Sequence, residues 1–312
     1  MLLDPAGRRI RKLRVSLTDA CQFRCFYCLP ATPRFLPHQR LLPAAELIEL
    51  VGRLAELGID ELRLTGGEPT LRPELLEIVR GLARLPIAKL GMTTNAQRLE
   101  PLLPALRGAG LHGVNISLDS LRPETFARIT GGRQPAQVLA AARAARDQGL
   151  QVKLNVVLFR GLNDGEVPDF LRLAEAEGVT VRFLELMRIG VASQRQPALF
   201  IPADEVIATL RAAGERLTPL PGPPDATSFD YATAGGGRIG FIASESRPFC
   251  AGCSRLRLSA TGFLRACLMS GDGLDLRGLP PAELLAALAR VLAMRPLDRI
   301  AQVDEVMARI GG

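Results

Sequence analysis

Leu13-Arg14-Val15-Ser16-Leu17-Thr18-Asp19-Ala20-Cys21-Gln22-Phe23-Arg24-Cys25-Phe26-Tyr27-Cys28 is the stretch on which the reading of the fold turns. Its first five residues alternate apolar and polar side chains, the pattern of a strand with one buried face. A loop with the spacing Cys21-x3-Cys25-x2-Cys28 continues from that strand's carboxyl end. Three thiols are one short of the set that closes a structural zinc site. They are also one short of the four that usually hold an iron–sulfur cube, and a cube held by three keeps one iron open for a ligand. Spacing alone leaves both readings standing.

Outward from this loop the same strand-then-helix alternation repeats. Further strands are predicted at 61–64, 88–93, 114–118, 151–158 and 179–184. Helical patterns fall at 43–57, from Pro73, from Glu100, near Pro123, over 135–148, from Glu166 and from Pro202. Six β-α units in succession imply an α/β fold with a parallel sheet or barrel. After Gly214 the texture changes to a proline-rich run, a Gly235-Gly236-Gly237 turn, short strands at 238–242, 256–258 and 263–268, and a last helix from Pro281. A smaller second module is expected to begin within 214–236, dividing the chain into 1–215 and 216–312.

Composition narrows the function classes. With 312 residues, 47% hydrophobic and 23% charged, the chain is ordinary globular material rather than disordered, collagen-like or coiled-coil. The first fourteen residues lack an apolar run and no eighteen apolar residues follow one another, so no export signal or membrane span is expected. Two histidines far apart, His38 and His112, disfavour a histidine metal cluster or a His-centred triad. No Trp and two Tyr disfavour stacking platforms for single-stranded nucleic acid. The net charge of +7 is carried almost wholly by arginine, since Lys12, Lys89 and Lys153 are the only lysines. Such a balance suits a nucleotide phosphate or a nucleic acid. Six cysteines in a chain of this size without an export signal suit metal ligation in a reducing, cytoplasmic setting better than disulfides.

Two further groups carry chemistry. The strand ends gather Thr65-Gly66-Gly67-Glu68-Pro69, Thr93-Thr94-Asn95, Ser117-Leu118-Asp119 and Glu185-Leu186-Met187. These are polar or small residues at the edge where a β/α barrel places its reacting groups. The second cysteine trio is Cys250-x2-Cys253-x13-Cys267, and in an extended segment Cys253, Arg255 and Arg257 leave on one face. Two guanidiniums there suit an anionic substrate, and a zinc ribbon with a distant fourth ligand is the other reading.

The CxxxCxxC loop, with Tyr27 just before its last cysteine, resembles the radical S-adenosylmethionine (SAM) enzymes. That resemblance implies a [4Fe-4S] cluster on Cys21, Cys25 and Cys28 whose open iron is chelated by SAM, reductive cleavage of SAM to a 5′-deoxyadenosyl radical, and a GGEP run in which Gly67 receives the SAM amino group. The second trio, within Phe249-Cys250-Ala251-Gly252-Cys253-Ser254-Arg255-Leu256-Arg257, resembles the GTP 3′,8-cyclase family of molybdenum cofactor biosynthesis. The likeness runs from Leu13-Arg14-Val15-Ser16 to the terminal Gly311-Gly312. It implies an incomplete six-unit (β/α) barrel, a C-terminal α+β module closing its mouth, and two [4Fe-4S] clusters facing one cavity, the second on Cys250, Cys253 and Cys267. GTP would meet Arg14, Arg63, Thr93, Lys153, Arg182, Arg255, Leu256 and Arg257, and SAM would meet Tyr27, Gly67, Ser117 and Met187. Arg255, Arg257 and Arg309 would serve catalysis, with the Gly-Gly tail reaching the site. The implied partners are GTP, an electron donor such as flavodoxin or ferredoxin, a downstream cyclic pyranopterin monophosphate synthase and a second copy in a homodimer, with no membrane and no nucleic acid. The chain departs from the family in Ala96 after Asn95, in Leu29 after the last cysteine of the loop, and along 188–200. The rival readings are a radical SAM enzyme acting on a peptide and a zinc-dependent nucleic-acid-binding module.

Overall fold

A computed structural model describes residues 1–311. Strict alternation along the strands builds the architecture. The six predicted strands are β1 (Lys12–Ser16), β2 (Glu61–Thr65), β3 (Lys89–Thr94), β4 (Gly113–Ser117), β5 (Gln151–Val157) and β6 (Thr180–Leu184). Each pairs in parallel with the next, as in Arg14 opposite Arg63 and Asn155 opposite Arg182. Leu13, Val15, Leu64, Leu90, Ile116, Val156 and Val181 bury their side chains on one face. Against that face pack α1 (Ala44–Glu56), α2 (Leu75–Ala83), α3 (Leu103–Gly108), α4 (Pro123–Thr130), α5 (Pro135–Asp147), α6 (Val167–Glu177) and, after the four-residue α7 (Gln196–Leu199), α8 (Ala203–Ala212). Residues such as Val51, Ile78, Leu106, Ala141, Phe170 and Ile207 complete this layer. At about 2 kcal/mol for each fully buried Leu, Val or Phe side chain, the outer layer supplies the cohesion. The inner face is therefore free to be polar.

The C-terminal strands are β7 (Thr218–Leu220), β8 (Phe229–Ala232), β9 (Arg238–Ile242), β10 (Arg255–Leu258), β11 (Phe263–Arg265) and β12 (Gly273–Asp275), followed by α9 (Pro281–Ala293) and α10 (Met307–Ile310). They extend both edges of the same sheet. β10 lies parallel to β1, with Arg257 opposite Arg14, and β9 lies parallel to β6, with Gly240 opposite Arg182. The twelve-stranded order is β12-β11-β10-β1-β2-β3-β4-β5-β6-β9-β8-β7, an open barrel whose outer strands do not meet. The expected division near 215 falls between α8 and β7.

Strands β7, β8 and β12, and a short antiparallel hairpin of Leu2–Leu3 with Arg9–Ile10, were not expected from the sequence. β7 carries Pro219 inside the proline-rich run, and proline is tolerated there because β7 is an edge strand. The strand expected at 263–268 is shorter, Phe263–Arg265, because the chain turns at Ala266 toward Cys267.

Two backbone positions define the turns under the site. Gly66 has φ +134°, and a Cβ there would lie 2.1 Å from the carbonyl oxygen of Thr18. Ala96, one of the departures from the family pattern, is the only non-glycine residue with positive φ among those described, at +61°. A left-handed alanine costs about 1–2 kcal/mol, partly offset by the larger unfolded-state entropy of glycine. The two positions thus respond oppositely to substitution. In denaturant unfolding, Ala96→Gly is expected to raise stability by roughly 0.5–1 kcal/mol, whereas Gly66→Ala lowers it by about 3 kcal/mol or more through backbone collision.

Candidate active site at the strand ends

The loop after β1 is fixed from two sides. On one side α4 ends against it: Arg24 N–H donates to the Thr130 carbonyl at 2.9 Å and Phe26 N–H to that of Ile129 at 3.1 Å. On the other, Gly67 N–H donates to Thr18 O at 2.7 Å and Glu68 N–H to Ala20 O at 2.8 Å. A Cβ on Gly67 would come within 2.3 Å of Ala20 O, so the two glycines are what allow the β2 loop to lie against the cysteine loop. With its N–H committed, Gly67 can offer an amino group only its carbonyl oxygen. Glu68 is buried, which pushes its carboxyl up, but it accepts from Thr70 N and Oγ1, Thr94 Oγ1 and Asn95 N at 2.6–3.1 Å. It therefore fastens the end of β2 to the end of β3. Asn95 in turn lies with Nδ2 3.7 Å from the Cys21 sulfur.

Tyr27 turns its ring among Phe26 and Phe159 and donates from its hydroxyl to Asp119 Oδ2 at 2.8 Å. Asp119 Oδ1 accepts from Val157 N at 2.8 Å. Burial raises the Asp119 carboxyl to about 6 despite these bonds. With the phenol so engaged, the backbone is the part of Tyr27 left to contact a cofactor.

Cys21, Cys25 and Cys28 are half-buried free thiols. Burial pushes Cys21 up to about 11, Cys28 up to about 12 and Cys25 well above its ordinary value, with Asp119 and the two other thiols adding to the effect on Cys25, and Cys21 and Asp119 to that on Cys28. Cys250, in a turn, Cys253, just before β10, and Cys267, after β11, form the second trio. Cys250 is raised by burial and then by Cys267 and Cys253. Burial also pushes Cys253 up, but the positive charges of Arg255 and Arg295 outweigh it and bring the thiol down to about 6. Both donor sets are soft sulfur, suited to iron–sulfur clusters. Among the described residues no three His, Cys, Asp or Glu side chains converge tightly enough to hold a single ion. The two trios do not share one ion. Each supplies three thiols where a [4Fe-4S] cluster usually takes four, a donor set that suits such a cluster with one corner left to a non-protein ligand.

Between the trios lies the polar inner face. Arg257, Arg14 and Arg63 stand side by side on β10, β1 and β2, while Lys153 on β5 and Arg182 on β6 are offset by two residues. Gly91, opposite Arg63 on β3, leaves room for its guanidinium, since a Cβ there would be 2.9 Å from Nη1. Burial first, then the neighbouring positive charges, depress Arg63 to about 10, Arg257 to about 9, Lys153 to about 8 and Arg14 well below its ordinary value, and burial lowers Arg182 although Asp230 opposes it. Asp230 pairs with Arg182, at 3.6 Å, and with Arg238, at 2.7 Å. Among the described residues Arg14, Arg63, Lys153 and Arg257 form no ion pair with a carboxylate. Buried like charge without counter-charge is costly, and a polyanion is the ligand that relieves it. Thr93 on β3 and Ser117 on β4 line the same face. Leu256 points into the core, leaving only its backbone for substrate.

The C-terminal tail enters this space. Gly311, at φ +73°, sits beside the ends of β1 and β2, where a Cβ would be 2.5 Å from Ser16 Oγ, and Arg257 donates to its carbonyl. The Ala308 N–H is directed at the Cys28 thiol, so the tail touches both ends of the site. Met187 packs beside Ile189, Met269 and Ile310, near Cys267. Arg309 does not join the inner cations: its guanidinium donates to Arg34 O at 3.1 Å and approaches Asp19 at 3.9 Å. Gly312, the last of the two terminal glycines, lies outside the described residues. Sequence reading passed over the bracing roles of Glu68 and Asp119, and Arg295 altogether. Glu68 had a signal in its place in the GGEP run and Asp119 in its place at the end of a predicted strand; Arg295 had none.

Comparison with known proteins bears on this arrangement. Residues 15–174 match the model of the radical SAM superfamily, and residues 179–297 that of Molybdenum Cofactor Synthesis C. A GTP 3′,8-cyclase of Synechocystis sp. is 44% identical over 311 residues, covering 100% of this chain and 95% of the relative. Those of Aquifex aeolicus and Moorella thermoacetica are each 39% identical, covering 91% and 99% of this chain and 89% and 99% of the relatives. The structure of Streptococcus suis SuiB bound to precursor peptide SuiA superimposes with a TM-score of 0.66 at 13% identity, over 93% of this chain and 66% of that one. At that identity the likeness is one of fold.

The crowded cations give a prediction for the anion-free protein. A lysine depressed to about 8 destabilises the folded state while it is protonated, and the penalty fades as pH rises from about 8 toward the ordinary 10.5. Lys153→Met is expected to raise unfolding stability at pH 7 by about 1 kcal/mol, the shift being discounted because the ammonium is partly solvated. It should also flatten the gain in stability that the parent shows on raising the pH to 10. Thermal unfolding across that pH range is the measurement.

Proposed function

The chain belongs to the radical SAM superfamily and, within it, to the GTP 3′,8-cyclases, and from that membership we propose that it converts GTP to (8S)-3′,8-cyclo-7,8-dihydroguanosine 5′-triphosphate, the first step of molybdenum cofactor biosynthesis. The observation that carries the substrate is the row of Arg257, Arg14 and Arg63, with Lys153 and Arg182, lying between two cysteine trios and lacking sufficient carboxylate. A triphosphate brings the charge this face lacks.

Cys21, Cys25 and Cys28, free thiols here, would hold one [4Fe-4S] cluster, and Cys250, Cys253 and Cys267 would hold a second. Bound there, the first cluster with SAM would supply a 5′-deoxyadenosyl radical, and the second would supply an open iron for the guanine end of GTP. The chain's own residues do the rest. Arg14, Arg63, Lys153, Arg182 and the Arg255-to-Arg257 run hold the nucleotide across the barrel, so that C3′ of the ribose faces the SAM side and C8 of guanine lies within bonding reach of C3′. Tyr27 and Gly67 through their backbones, with Ser117 and Met187, surround SAM. The tail, with Gly311 on Arg257, closes the mouth and excludes water that would quench a carbon radical. Arg255 and Arg257 touch the nucleotide, and Arg309 joins them when the tail adjusts to substrate.

Residues 1–215 form the radical SAM part and 216–312 the closing part. No helix among the described residues is long and apolar enough to cross a membrane. A cytoplasmic enzyme fits, drawing electrons from flavodoxin or ferredoxin, delivering its product to cyclic pyranopterin monophosphate synthase, and working as a homodimer without nucleic acid.

The test is anaerobic reconstitution with iron and sulfide, then incubation with SAM, a strong reductant and GTP. 5′-Deoxyadenosine and a cyclised nucleotide are expected together. Cys28→Ala should abolish both, and Arg257→Met should lower kcat/KM for GTP roughly 10- to 100-fold, the worth of one charged hydrogen bond. SAM cleavage that needs a peptide rather than GTP, or a colourless zinc protein, would overturn the reading. Removing Gly311 and Gly312 should slow cyclisation while both clusters persist; an unchanged rate would take the tail out of the site.

A further inference from the structure

Behind the second cysteine trio lies a buried ionic knot that the cyclisation itself does not use. Arg295, just past α9, has a side chain only 3% exposed. Its Nε donates to Asp4 Oδ2 at 3.0 Å, Nη2 to the Cys253 carbonyl at 2.7 Å, and Nη1 to the Ala266 carbonyl at 2.9 Å and to that of Arg255. One guanidinium thus joins the residue before Cys267, Cys253 itself and the start of β10. Asp4, its side chain fully buried, also accepts from Arg8 Nε at 2.6 Å, and Arg8 Nη1 donates to the carbonyl of Cys250 at 3.0 Å and to that of Pro296 at 2.9 Å. The other Asp4 oxygen accepts from Ala6 N and Arg8 N, which shapes the turn of the N-terminal hairpin.

The three cysteines come from a turn, a strand entry and a strand exit. The backbone at or beside each of them is held by one of two arginines, and both arginines are held by one carboxylate. A buried ion pair gives little net stability compared with apolar packing. A planar fork saturated with backbone carbonyls, however, fixes distances and angles. Both guanidiniums also place their charge behind the sulfur ligands, where charge and hydrogen bonding set how tightly a cluster is held and at what potential it is reduced.

We propose that Asp4, Arg8 and Arg295 are positioning residues for the second cluster: the N-terminal hairpin and the segment after α9 together set the spacing of Cys250, Cys253 and Cys267 and the reduction potential of what they hold. This rests on the reading that the second trio carries an iron–sulfur cluster.

The test uses the full chain with Cys21, Cys25 and Cys28 all changed to Ala, so that only the second site binds iron. About four iron and four sulfide per chain after reconstitution would uphold the underlying reading; no iron would overturn that reading by itself, before any arginine is touched. In this background Arg295→Lys keeps the charge but loses the fork, and Arg295→Met loses both. Iron transfer to a chelator should quicken by about 10-fold or more in both. The paramagnetic resonance spectrum of the reduced cluster should change in both, and the midpoint potential should fall further in Arg295→Met than in Arg295→Lys. Arg8→Lys, which touches only the Cys250 side, should show the same signs more weakly and decides the matter if the Arg295 variants do not fold. Folded variants whose spectrum, potential and iron release match the parent would overturn the proposal.

Discussion

An arginine on a β-strand stays out of water only if something else holds the strand. Here the alternating residues of β1 to β6 bury Leu, Val, Ile and Phe beneath the helices, and that apolar layer lets the opposite face collect Arg14, Arg63, Lys153, Arg182 and Arg257 without a matching set of acids. Cohesion and chemistry sit on opposite sides of one sheet. The inner cations weaken the empty protein, and the outer layer tolerates the cost. That division is why the site can be charged before its ligand arrives, which spares the reorganisation that would otherwise accompany binding.

The cysteine loops depend on the same frame. Each lies where a strand of the sheet begins or ends, the first after β1 and the second around β10, and these two strands are hydrogen-bonded neighbours. Gly66 and Gly67 let the β2 loop touch the first cysteine loop, Glu68 ties it on to β3, and the tail reaches from Cys28 to Arg257. Iron and sulfide thus meet a site already braced on several sides, with their ligands kept out of bulk water.

Much of this is legible in the sequence because it rests on local pattern. Period-two alternation marks the six strands, the cysteine spacing marks the two trios, and Lys153 stands out by rarity. Other features leave no local trace. That β9 and β10 join opposite edges of the barrel sheet depends on where distant segments meet, and no window of sequence encodes it. Arg295 looks like one more arginine among many; its partners are Asp4 and backbone carbonyls of residues 253, 255 and 266, which spacing cannot reveal. Arg309 shows the reverse case, a residue with a role implied by family resemblance whose guanidinium here rests on Arg34 and Asp19. Ala96 is visible as a departure, and the structure supplies its physical meaning, a left-handed turn without glycine.

The adjacency of β10 and β1 carries a consequence for biogenesis. Arg14 emerges from the ribosome long before Arg257, so one edge of the first strand stays bare until β10 has been made. Closing so large a loop is slow, and an unpaired strand edge is a template for association with other chains. Arg14, whose charge crowds the finished barrel, repels copies of itself in that interval, so a residue that makes the mature interior electrostatically uncomfortable also opposes association of the nascent polypeptide.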